Sequence, residues 1–119
     1  MKNTLTILLL LGAFTVSAQL NSNAQTLKDA NSIEYRLLKK YAEQKWGEDY
    51  EMIVYTINEH TDAMREVVNI MNEGADKMIM FSAFKKWSDN SIRLEGKSFV
   101  DYTMVLYTYK EQLEAKNSY

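Results

Sequence analysis

Cysteine and proline are both absent from the 119 residues, histidine occurs once, and glycine only four times. Without cysteine there is no disulfide, no lipid-anchoring cysteine and no covalent Cys-x-x-Cys-His haem attachment. A cysteine nucleophile is excluded as well, and no serine stands at a recognisable spacing from the single histidine and an acid. Scarce glycine leaves no glycine-rich phosphate loop. The formal charge is −2, so there is no general basic excess, and no basic stripe of the kind that marks a nucleic-acid binder. These absences point away from catalysis and from nucleic acid.

What is present starts with an export signal. Lys2 gives a short positive region, Leu5 to Val16 is apolar, and Val16-Ser17-Ala18 is a small-residue cleavage site. The apolar run is too short for an ordinary membrane span. Residues 1–18 therefore read as a signal peptide and the protein as secreted or periplasmic, with no membrane association after cleavage. The remaining 101 residues suit one domain stabilised by packing alone.

In that part Gly47, Gly74 and Gly96 are the only glycines, and apolar residues recur at helical spacing between them. Residues 19–25 are small and polar and read as a disordered lead-in; residues 26–119 read as a single helical domain. The expected helices are Thr26–Trp46, Glu48–Asn72, Ala75–Trp87 and Phe99–Lys116, with a polar connection from Ser88 to Ser98. The second is strongly acidic: between residues 48 and 73 seven acidic residues face Arg65 alone. No Asn-Gly or similar hairpin signal occurs. The expectation is an all-α, antiparallel four-helix bundle.

Two stretches repeat. Asp49-Tyr50-Glu51-Met52-Ile53-Val54-Tyr55-Thr56 aligns with Asp101-Tyr102-Thr103-Met104-Val105-Leu106-Tyr107-Thr108 at an offset of 52, and Glu59 and Ala63 continue the match as Glu111 and Ala115. Upstream, Ile33, Tyr35, Leu38 and Tyr41 align with Ile79, Phe81, Phe84 and Trp87 at an offset of 46. The bundle is thus expected to be one helical hairpin written twice, the extra residues lying in the 88–98 connection.

On the second helix Met52, Tyr55, Thr56, Glu59 and Ala63 lie opposite the main apolar stripe, where a plain bundle meets solvent. Met52, Tyr55, Thr56 and Glu59 with Met104, Tyr107, Thr108 and Glu111 are therefore candidate binding-surface residues for a protein partner or a second copy. His60 and its counterpart Gln112 fall on the inward stripe, as a polar pair setting register. The Glu-x-x-His motif of di-iron bundles is missing, since Ile57 stands three before His60. The reading is an exported, non-catalytic binding or assembly protein that needs no cofactor. Its rival is a small haem or copper carrier, with His60 and a methionine, or Met78 and Met80, as ligands.

Overall fold

The computed structural model describes residues 19–119, so the expected signal peptide lies outside the described residues. Among these there are five helices and a two-stranded antiparallel sheet, not the all-α four-helix bundle expected. In order they are α1 (Ser22–Asp29), α2 (Ile33–Trp46), α3 (Tyr50–Gly74), α4 (Lys77–Lys86), β1 (Ser88–Leu94), β2 (Lys97–Val100) and α5 (Tyr102–Ser118).

The sheet is the main correction. The polar connection folds as a β-hairpin whose two-residue turn is Glu95-Gly96, with φ of 51° and 82°. Positive φ at both turn residues is what tight hairpins require, and glycine supplies it without strain. Leu94 pairs with Lys97 and Arg93 with Ser98, but the next pair is Asp89 with Phe99. Asn90, Ser91 and Ile92 therefore bulge out of register. The bulge is held by the Ser98 hydroxyl on Asn90 at 2.6 Å and the Ser91 hydroxyl on Asp89 at 2.6 Å. It leaves both Ile92 and Phe99 buried. Phe99, expected to open the last helix, is a strand residue.

The first expected helix is two. Asn31 takes a left-handed φ of 50°, and Ser32 then caps α2 by accepting the Tyr35 N–H at 3.0 Å. Most of the stretch expected as a disordered lead-in belongs to α1. Asn21 caps that helix, donates its backbone N–H to the Asn58 side chain at 2.8 Å, and reaches Asp62 with its amide. Those partners lie on α3, so α1 is fixed by tertiary contacts.

At 1.5 Å per residue α3 is about 37 Å long, and two cores lie along it. The first holds Leu37, Leu38, Ile53, Ile57, Ile92 and Phe99 with Ala24 and Ala42. The second holds Val67, Met80, Ala83, Val105 and Tyr109. Helix α5 packs on α3 in parallel, because their ties climb in step: His60 with Thr103, then Glu66 with Lys110 at 2.8 Å. Beyond the end of α3, the Asp76 N–H donates to the Tyr109 hydroxyl at 3.0 Å and Asp76 pairs with Lys116.

Candidate functional site

The repeated sequence is a repeated structure. In the first copy the Trp46 indole N–H donates to the Thr56 hydroxyl at 2.8 Å; in the second Trp87 donates to Thr108 at 2.8 Å. The Asp49 N–H donates to the Trp46 carbonyl at 3.1 Å and the Asp101 N–H to the Trp87 carbonyl at 3.0 Å. Each aspartate then caps the following helix, accepting the Met52 or Met104 N–H at 3.2 Å. Lys45 lies 5.3 Å from the Trp46 ring and Lys86 lies 5.4 Å from the Trp87 ring. The module is thus a helix ending in Lys-Trp, a turn, and an Asp-Tyr-capped helix.

This geometry changes the upstream alignment. Trp87 corresponds to Trp46, not Tyr41. Two residues separate Trp46 from Asp49, whereas thirteen separate Trp87 from Asp101. The hairpin is an eleven-residue insertion in the turn of the second module. The tryptophans and their lysines were missed as site residues because that insertion moves them out of register with the Asp-Tyr repeat.

The candidate surface residues divide into two sets. Tyr55 and Tyr107 are each 56% exposed, and Glu59 and Glu111 are exposed one turn further on. Met52 and Met104 are half-buried beside them. Thr56 is buried and Thr108 half-buried, both committed to their tryptophans. The Glu111 carboxylate beside the Tyr107 hydroxyl raises its pKa.

The second module is offset from the first along α3, with α3 and α5 parallel. The second capped turn stands level with His60, about ten residues beyond the first, a shift of roughly 15 Å along α3. This separates the expected polar pair. His60 is buried against the start of α5, while Gln112 is exposed, with no element among the described residues packed over it.

His60 packs against the edge of a stacked pair: its ring centroid is 5.3 Å from Tyr41 and 6.0 Å from Phe99, and Tyr41 and Phe99 stack at 4.3 Å. The Thr103 hydroxyl donates to Asp101 at 2.7 Å, so its oxygen has only lone pairs to offer the ring. That oxygen lies 3.1 Å from Nε2 and 3.4 Å from Nδ1. Asp101, another acceptor, is 3.6 Å from Nδ1. The Thr103 oxygen is thus within reach of both ring nitrogens, and among the described residues no buried side-chain nitrogen or oxygen lacks a hydrogen-bond partner. Burial pushes the His60 pKa below the usual histidine value, against the pull of Asp101 and Glu59.

Beside this ring lies a cavity of about 320 Å³, walled by α2, α3, β2 and the start of α5. Leu37, Leu38, Met64, Phe99 and Tyr102 supply apolar surface, and Glu34, Lys97 and Ser98 stand among them. Burial, and secondarily Glu34, raise the Tyr102 pKa. A second, more apolar groove runs between the end of α3 and α4, lined by Met71, Ala75, Met80, Phe81 and Phe84. Met78 is 78% exposed and Met80 3%, so the two candidate copper ligands point apart. Among the described residues no group of three histidine or acidic side chains is arranged to hold a metal, and no helix is long and apolar enough to cross a membrane. Comparison with protein-family models, curated proteins and solved structures finds no match to this chain.

Proposed function

We propose that the chain is an exported, non-catalytic binding protein whose recognition surface is a pair of ridges, Tyr55–Glu59 and Tyr107–Glu111, held in tandem on α3 and α5. One observation carries the reading. Where positions of the two modules are exposed in both, packing gives no reason for their residues to agree. Arg65 and Glu66 indeed stand opposite Asn117 and Ser118, yet Tyr55 and Glu59 recur unchanged as Tyr107 and Glu111. A half-exposed tyrosine offers a rigid amphipathic surface at low entropic cost. Two such ridges shifted by roughly 15 Å suit a partner that presents its own recognition element twice, and stacked modules commonly work as binding scaffolds.

The test is Tyr55→Glu and Tyr107→Glu, singly and together. Because neither tyrosine is in a core, all three variants should melt close to wild type. Each single variant should weaken association by about ten- to a hundredfold through lost avidity, and the double variant should abolish it. Association is measured by light scattering for self-pairing and by affinity capture from the exported proteins of the source for a partner. A double variant that retains every wild-type association would overturn the proposal, as would a wild type that stays monomeric and captures nothing.

A further inference from the structure

We infer that the open face of the second module is a docking groove for a segment of another protein that carries an aromatic side chain and, two residues on, a carboxylate. The groove holds about 300 Å³ between α4 and α5, and Met78, Ile79, Ser82, Ala83, Thr108 and Gln112 line it. The inference does not rest on the tyrosine ridges. At 100° per residue Thr108 and Gln112 lie about 100° round α5 from Tyr107 and Glu111, on another face.

The first module shows what such a groove takes. With Trp46 matched to Trp87 and Asp49 to Asp101, the counterparts of the six lining residues are Leu37, Leu38, Tyr41, Ala42, Thr56 and His60. There the surface is closed: Tyr41 is half-buried and the other five are buried. The cover is the run Phe99-Val100-Asp101. Phe99 stacks on Tyr41 at 4.3 Å and lies 6.0 Å from the His60 ring, and Asp101 lies 3.6 Å from its Nδ1. In the second module the same positions are open among the described residues. Met78 is 78% exposed where Leu37 is buried, and Ser82 and Gln112 are exposed as well.

Charge and shape decide the occupant. Lys86 also borders the groove, in the place of Lys45, whose charge acts on His60 in the first module. Helix α4 carries Lys77, Lys85 and Lys86 and no acid, and among the described residues none of the three is in an ion pair. A carboxylate at the equivalent of Asp101 meets Lys86 and the amide donor of Gln112. Ile79 and Ala83 offer a ring apolar surface, and Met78 a thioether, which packs well against aromatic rings. Ser82 in place of Tyr41 leaves the ring more room. A second copy does not supply this segment. Its Phe99-Val100-Asp101 run covers its own first module, and its other capped turn reads Gly47-Glu48-Asp49, with no side chain where the ring belongs.

The experiment is an NMR titration of the chain with a blocked peptide of the sequence Ser98–Met104, the cover of the first module. The Met78 methyl and the Gln112 side-chain amide should shift saturably. Phe99→Ala in the peptide should weaken binding by more than about tenfold, as loss of a buried ring does. Asp101→Asn in the peptide should weaken it by about threefold, the worth of a partly exposed ion pair. Met78→Glu in the chain should abolish binding and leave the melting temperature unchanged, and Lys86→Glu should turn the preference toward a peptide with Asp101→Lys. Equal binding of the peptides, or no saturable shift, would overturn the inference. So would shifts confined to Leu37 and Tyr41, which would mean that the peptide only displaces the chain's own hairpin. Two further results overturn it by naming another occupant. Shifts of Met78 with protein concentration alone would give the face to a second copy. Sedimentation with phosphatidylglycerol vesicles, lost in Met78→Glu and unaffected by the peptide, would give it to a membrane.

Discussion

If the two Trp–Thr bonds are the shared fastener of the modules, replacing each threonine by valine should cost a similar amount. Valine keeps the shape of threonine and removes the acceptor. Thr56→Val strands the Trp46 indole N–H, which lies 2.8 Å from the hydroxyl it needs. Leaving a buried donor unsatisfied costs about 1–3 kcal/mol. Trp46 is only half-buried and water can partly replace the lost acceptor, so the lower end applies, about 1–2 kcal/mol. Thr108→Val strands Trp87 in the same way, with Thr108 itself more open, and about 1 kcal/mol is expected. For a domain of this size 1 kcal/mol moves the melting temperature by roughly 4–8 °C. Urea unfolding followed by circular dichroism gives the costs. Double-mutant cycles with Trp46→Phe and Trp87→Phe isolate each bond, with a coupling of about 1 kcal/mol expected in both. Costs below about 0.5 kcal/mol at both sites, within the range of ordinary surface substitutions, would show that the bonds do not hold the modules. Coupling in one module alone would break their equivalence.

Phe99→Ala should destabilise by about 3–5 kcal/mol in urea unfolding, because the ring is 3% exposed and stacked on Tyr41; a loss near 1 kcal/mol would mean the hairpin is not part of the core. Gly47→Ala should cost about 1–3 kcal/mol, since φ of 60° with ψ of −113° is a glycine conformation and no neighbouring atom crowds the added carbon. His60, whose folded pKa is lowered chiefly by burial, should make stability fall as pH drops below about 6.5, where the unfolded chain takes up a proton that the folded one resists. The loss should be complete once the pH is below the folded value. His60→Gln should remove that slope in urea midpoints between pH 8 and 5, a window clear of Asp76 and Asp89, whose carboxyls sit below 3.8 because Lys116 and Ser91, respectively, hydrogen-bond them. Gln112→Leu should stay within about 0.5 kcal/mol of wild type, as an exposed site does; a shift beyond about 1 kcal/mol would place Gln112 in a core after all.

Much of the helical part was legible because helices announce themselves locally. The stripe of Ile53, Ile57, His60 and Val67 on α3 belongs to neighbours within a few residues of each other. The hairpin was not legible for two reasons. Glu95-Gly96 is a weaker turn signal than Asn-Gly, and the bulge at Asn90–Ile92 breaks the alternation that marks a strand. Helix α1 was hidden because its cap is tied to Asn58 and Asp62, partners no local window contains. Of the candidate surface, the tyrosines and glutamates were placed on an exposed ridge by periodicity alone. The threonines beside them were not separable from that set, since their bonds to Trp46 and Trp87 cross a turn whose length differs between the modules.

The fate of His60 and Gln112 shows what an internal repeat says and what it leaves open. Matching residues establish that two segments fold alike; they say nothing of the operation that relates one to the other. A twofold axis would have put both side chains at equivalent inward sites. A shift along α3 covers that position in the first module and, among the described residues, leaves it open in the second, so the same position is a core position once and a surface position once. The chemistry follows the geometry. In the first module the position is an imidazole packed against the Tyr41–Phe99 stack and set against Asp101 and Thr103 of the next turn. In the second it is an amide in water, followed by Lys116 where the first module has Met64. The inserted hairpin fits the same logic, for it adds Phe99 and Ile92 to the first core from the second module, and in doing so forms one wall of the cavity beside His60.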